Sequence, residues 1–125
     1  IHDDTLAARI TVPNWADWFK AAKVADIDLG RGLHFNSPDH ALDAAAEGAG
    51  ILLAADLLAY DDLRNGRLTS PVPLTLPSGR AYHLVGPKRE RRRHVVEAFC
   101  NWIKDEVAKL DWSFMSSKGR RSVKR

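Results

Sequence analysis

Residues 33–53, LHFNSPDHALDAAAEGAGILL, constrain the fold more than any other stretch of this chain. They spell a short strand, a capped helix, a glycine turn and a second apolar segment. Leu33 to Phe35 suit a strand that ends at Asn36-Ser37-Pro38. Ser37 is a favoured N-cap residue, and Pro38 falls at the first helical position, where a missing N–H costs nothing. Ala41, Leu42, Ala44, Ala45 and Ala46 favour helix. Gly48 can end that helix in the left-handed conformation that glycine adopts cheaply. Ile51 to Leu53 form a short apolar run suited to a buried strand. A helix that starts where a strand ends offers free N–H groups and partial positive charge. The turn at Ser37 is therefore a candidate anion pocket.

The remaining chain repeats the alternation. Asn14 is expected to cap a helix over Trp15 to Val24, with Asp17 completing a capping box and Trp15, Trp18, Phe19 and Ala22 on one stripe. Residues 25–32 read as a loop. Ala54 to Arg64 read as a helix with Leu57, Leu58 and Leu63 inward, stopped at Asn65-Gly66. Arg67 to Leu76 are extended and broken by Pro71 and Pro73. After a turn at Ser78-Gly79, Ala81 to Val85 read as a strand. A long amphipathic helix is expected from Arg89 to Leu110, its stripe made by Val95, Val96, Phe99, Trp102, Ile103, Val107 and Leu110. Strands alternating with helices predict an α/β unit with a mainly parallel sheet.

Composition narrows the function classes. The chain has 125 residues and a net charge of +3, but its last eight residues hold five cations and no acid. The remaining 117 sum to −2, so the bulk of the chain is not a basic nucleic-acid binder. The tail is expected to be disordered. No apolar run approaches the 18 to 20 residues a membrane span needs, and no signal peptide is expected at IHDDTLAARI. The single Cys100 has no internal disulfide partner, which fits a reducing, cytoplasmic compartment.

Catalytic and cofactor patterns are weak. Ser37, His40 and Asp43 are the residue types of a hydrolytic triad, but their spacing lines them along one helix face instead of converging them. His2, His34, His40, His83 and His94 form no metal-binding pair at recognised spacing, and Cys100 has no partner for one. Gly48-x-Gly50 lacks the third glycine and the helix of a dinucleotide fingerprint. No enzyme activity, metal or cofactor is expected. The basic run KRERRRH over 88–94 reads as a solvated face able to steer an acidic partner.

The ordered set HDDT, NWADWFKAA, RGLHFNSPDHALDAAAEGAGILLA, LLAYDDLRNGRLTSPVPLTLPSGRAYHLVGPK and FCNWI resembles the effector-binding domain of LysR-type transcriptional regulators. It is most similar to the subgroup that activates glycine cleavage and inducible β-lactamase. The resemblance covers about residues 1–108. It implies an α/β fold of the periplasmic-binding-protein type II kind, present as an incomplete domain. Residues 14–73 would form the second lobe. Residues 78–110 would supply the return crossover, at Ala81 to Val85, and a helix that packs on the first lobe. Residues 111–125 would be a basic tail.

The same resemblance implies a small-molecule effector, anionic or like an amino acid or peptide, held between the lobes. Ser37, Asn36 and Tyr82 would contact it, and Gly48, Gly50 and Ile51 would lie along the cleft. It also implies a homo-dimer or tetramer, no membrane partner, and contact with DNA only through an N-terminal helix-turn-helix that these residues do not contain. A transport solute-binding protein shares the fold and is the alternative. Two departures stand out. Lys23 occupies a position where relatives often have a glycine after the first helix, and the segment from Trp112 onward matches nothing in the family.

Overall fold

A computed structural model describes residues 1–5, 12–87 and 94–113 of the chain. Its elements run β1 (His2–Asp3), α1 (Trp15–Ala22), β2 (His34–Phe35), α2 (Pro38–Ala46), α3 (Tyr60–Asn65) and α4 (His94–Ala108). The two strands pair in parallel, with His2 opposite His34 and Asp3 opposite Phe35. The parallel pairing expected from the alternation is present, though as a sheet of two strands.

A two-stranded ribbon is marginal unless something packs on it. Helix α2 does so, lying against both strands with Ala41 and Leu42 buried. Two backbone bonds extend the ladder, from His2 N–H to the Leu33 carbonyl and from Asp4 N–H to the Phe35 carbonyl, each 2.8 Å. Gly32 lets the chain pass the sheet edge. Its φ is +138°, and a Cβ there would sit 3.1 Å from the His2 ring.

The strongest local signals fold as read. Asn14 Oδ1 accepts the Asp17 N–H at 3.1 Å while the Asp17 carboxylate accepts the Asn14 N–H at 3.0 Å, a complete capping box. Helix α1 ends at Ala22 because Lys23 turns left-handed at φ 58°. Trp15, Trp18, Phe19 and Ala22 are half-buried while the rest of α1 is exposed. The three aromatic rings pack on each other with centroids 5.4–5.9 Å apart. At the end of α2, Gly48 adopts φ +84°. Its N–H reaches the Ala45 carbonyl, and the Ala49 N–H reaches that of Ala44, the paired bonds of a Schellman turn.

Three expectations fail among the described residues. Ile51 to Leu53 form no strand among the described residues. The Ile51 carbonyl accepts from the nitrogen of Ile1 at 2.8 Å, and Ile51 stays 62% exposed. Ala81 to Val85 likewise form no strand, since no second strand lies beside them among the described residues, and Tyr82 and Val85 are 76% and 91% exposed. The helix expected over Ala54 to Arg64 shrinks to α3. Asp56 Oδ1 accepts the Leu57 N–H at 2.8 Å, so a side chain competes with the helical ladder and residues 56–59 form turns. Leu57 and Leu58 end exposed, and Ala59 and Tyr60 are buried instead. The stop at Gly66 holds, with φ +79° and its N–H on the Leu63 carbonyl.

Helix α4 runs from His94, and the residues expected to begin it, Arg89 to Arg93, lie outside the described residues. So does the basic run from Lys118 to Arg125. Along α4, Val95, Phe99, Trp102 and Val107 are exposed, and Val96, Ile103 and Leu110 are half-buried. No described helix is long and apolar enough to cross a membrane.

Candidate functional site

The junction of β2 and α2 is the candidate site. Three interactions hold its strand end. The rings of His2 and His34 stack with centroids 4.3 Å apart and planes 4° apart. His34 Nδ1 lies 2.9 Å from Asp4 Oδ2, and His2 Nε2 lies 3.1 Å from the Arg31 carbonyl. Asn36 then bends the chain and is exposed.

Ser37 is half-buried at the N-cap position, with extended φ −142° and ψ 127°. Its carbonyl accepts the Ala41 N–H at 3.1 Å, the first intrahelical bond. Its hydroxyl makes no capping bond. Pro38 has no N–H to offer, so the donors left at this end of the helix are the backbone N–H groups of Asp39 and His40. With the Ser37 hydroxyl they make three donors within one turn, aided by the helix dipole. Asp39 places a carboxylate in the same first turn, which tempers the positive potential.

The other expected site residues lie elsewhere. Gly48, Gly50 and Ile51 fall at the opposite end of α2, roughly 15 Å along its axis from Ser37 at 1.5 Å per residue. Tyr82 stands in an irregular segment in which the Arg80 N–H donates to Ser78 Oγ. Among the described residues no hydrogen bond or ring contact joins Tyr82 to Asn36 or Ser37. The structure therefore groups Asn36 with Ser37 and leaves the other four apart from them.

Nor does a triad assemble. Asp43 pairs with Arg67 instead, at 3.0 Å from Nη2 to Oδ1, and Arg67 Nη1 reaches Asp62 at 3.3 Å. These bonds hold the Arg67 guanidinium above its ordinary value, the Asp43 hydrogen bond most, and they tie α2 to α3 at the surface. No cluster of three or more metal-ligating side chains occurs among the described residues.

Several positioning contacts escaped the sequence reading. Trp15 Nε1 donates to the Ile1 carbonyl at 2.9 Å, and Trp18 Nε1 to the Leu74 carbonyl at 3.1 Å. Helix α1 thereby pins both β1 and the proline-punctuated segment. The available signal was the indole N–H itself, which needs an acceptor when partly buried. Tyr60, 7% exposed, meets Asp111 and Trp112, contacts 51 residues apart that no local pattern announces.

The sequence model of the LysR substrate binding domain matches residues 6–108. The chain belongs to the LysR substrate-binding domain family. That family membership implies the periplasmic-binding-protein type II-like fold, of which the described residues form a small α/β part. Among curated relatives, a glycine cleavage system transcriptional activator homolog of Haemophilus influenzae is 30% identical over 82% of this chain and 34% of its own length. An uncharacterized HTH-type transcriptional regulator of Sinorhizobium fredii is 31% identical, covering 84% of this chain and 36% of its own. The glycine cleavage system transcriptional activator of Escherichia coli is 27% identical over 76% of this chain and 31% of its own. The chain thus spans about a third of the length of the curated relatives it matches. No solved structure matches it significantly.

Proposed function

We propose that this LysR-family chain is the effector-sensing and oligomerisation part of a transcriptional regulator, and that it is not an enzyme. The relatives described above are named as transcriptional regulators. In this reading residues 14–73 form one lobe and residues 78–110 return the chain to the other. A small anionic, amino-acid-like or peptide-like inducer sits between the lobes. The regulator acts in the cytoplasm as a dimer or tetramer and touches DNA through a helix-turn-helix outside these residues.

One observation carries the proposal. The hydroxyl of Ser37 is not used to cap α2, although serine is chosen at that position for capping. A free hydroxyl beside two free N–H groups at a strand's end is what an anionic group needs. Asn36 adds an exposed amide, and Tyr82 closes on the ligand from the return segment when the lobes meet. An effector that binds one lobe arrangement better shifts the population toward it, and the coupled subunits carry that shift to the DNA-binding domains. The unpartnered stripe of α4 is covered by the first lobe.

The test is Ser37→Ala in the intact regulator, read by inducer-dependent transcription and by thermal unfolding. Inducer response falls about tenfold or more while the unfolding temperature stays within 2–4 °C, the shift expected of about 1 kcal/mol or less in a larger domain. Full retention of the response removes Ser37 from the site. Inorganic phosphate and a panel of small carboxylates in a thermal-shift screen identify the ligand class, since a ligand at 100 times its Kd adds about 2.7 kcal/mol.

A further inference from the structure

Beyond the family match, which stops at residue 108, the chain does something the family pattern does not require. Helix α4 ends in two tight bonds, Lys109 N–H to the Glu106 carbonyl and Leu110 N–H to that of Val107. The next residues turn onto α3. The Tyr60 hydroxyl accepts the Asp111 N–H at 3.1 Å and lies 3.4 Å from the Asp111 carbonyl, to which it donates. The Trp112 ring meets the Tyr60 ring edge-on, with centroids 4.8 Å apart and planes at 72°. Asp111 Oδ1 accepts the Ser113 N–H at 2.8 Å and closes the turn. Arg64, also on α3, attracts the Asp111 carboxylate.

From these contacts we infer that residues 109–113 form a strap that fastens the end of α4 to Tyr60 at the start of α3. The consequence follows from the proposed lobe assignment, on which this inference rests. Helix α3 belongs to one lobe and α4 to the other, so the strap ties the two lobes together and limits the movement an effector would drive. Two features suit it to that task. Tyr60 is among the few buried side chains among the described residues, so it is a firm anchor. The described contacts of the fastening include a neutral phenol hydrogen bond and an edge-on ring contact, each individually modest.

The test needs no effector. Spin labels are placed on Cys100, the chain's single cysteine and half-buried on α4, and on Lys20→Cys, an exposed site on α1. The distance distribution between them is measured alongside amide exchange. Tyr60→Phe keeps the ring and removes the acceptor for Asp111. The strap predicts that Asp111 and the last turn of α4 exchange about two- to tenfold faster, the worth of one neutral hydrogen bond, and that the distribution broadens. Trp112→Ala does the same, and Trp112→Phe restores the narrow distribution. An unchanged width in both Tyr60→Phe and Trp112→Ala overturns the strap, whatever the exchange rates do. Equal loss of protection throughout α1 and α2 also overturns it, because Tyr60 is then merely a core residue. Either failure leaves the Ser37 proposal standing, and failure of the Ser37 test leaves these distances unaffected.

Discussion

Residues 33–50 and residues 94–108 both carry clear apolar patterns, yet only the first stretch finds its partners within the described residues. In the first, β2 pairs with β1, α2 covers both strands, and Ala41 and Leu42 are buried. In the second, α4 keeps its amphipathic stripe, but Phe99 and Trp102 stay 51% and 53% exposed. Periodicity decides which face of an element is apolar, and burial requires something to lie against that face. The difference separates a strand–helix unit packed within the described residues from a helix whose apolar stripe they leave largely uncovered.

The contrast can be broken by matched truncations. Leu42→Ala, in the packed stretch, costs about 2 to 5 kcal/mol, the range for a buried leucine. Phe99→Ala in α4 costs about 1 kcal/mol, because only about half of that residue leaves water on folding and the alanine keeps part of that burial. Denaturant unfolding of the chain measures both, and equal losses would show that α4 is packed after all.

Turn chemistry sharpens the comparison at smaller scale. Gly48→Ala forces a side chain into the left-handed region and costs about 1 kcal/mol. Lys23 already sits there at φ 58°, so Lys23→Gly works the other way. The gain is about 0.5 kcal/mol, since relief of left-handed strain exceeds the entropy glycine loses on folding. Both shifts are read from denaturant midpoints at unchanged slope.

The smallest effect is set by pH. The Asp111 carboxyl is held below its ordinary 3.8, chiefly by the Ser113 N–H it accepts, with Arg64 contributing. A depressed folded value means that its contribution is fully present above the unfolded value and fades as pH falls through the lower folded one. The Trp112 indole resonance, followed by NMR from pH 6 to 2, should hold steady until about pH 4 and then move toward that of an unfastened tryptophan. A change centred above pH 5 would assign the link to another group.

Local signals were legible in the sequence. The Asn14–Asp17 capping box, the Ser37-Pro38 helix start and the left-handed glycines Gly48 and Gly66 each depend on residues within a few positions, and each folds as read. Strands at 51–53 and 81–85 were not legible in the same way, because a strand exists only beside another one. Helix α3 starts late because Asp56 offers the backbone a competing acceptor, which propensity alone does not weigh against the leucines. Of the site, the position of Ser37 could be read, but not that its hydroxyl is left unused. The grouping of Asn36 and Ser37 away from Gly48, Gly50 and Ile51 follows from the length of α2. Contacts such as Trp18 with Leu74 and Tyr60 with Trp112 span more than 50 residues and leave no mark in any window of sequence.

The most direct test of the account is a ¹⁵N NMR titration of the intact, isotopically labelled regulator with the tightest-binding small carboxylate from the thermal-shift panel. The Asp39 and His40 amides should shift saturably at one common Kd, and Ser37→Ala should weaken that Kd about tenfold, or about 1.4 kcal/mol. Saturable binding that leaves both amides unmoved would contradict an anion site at the start of α2.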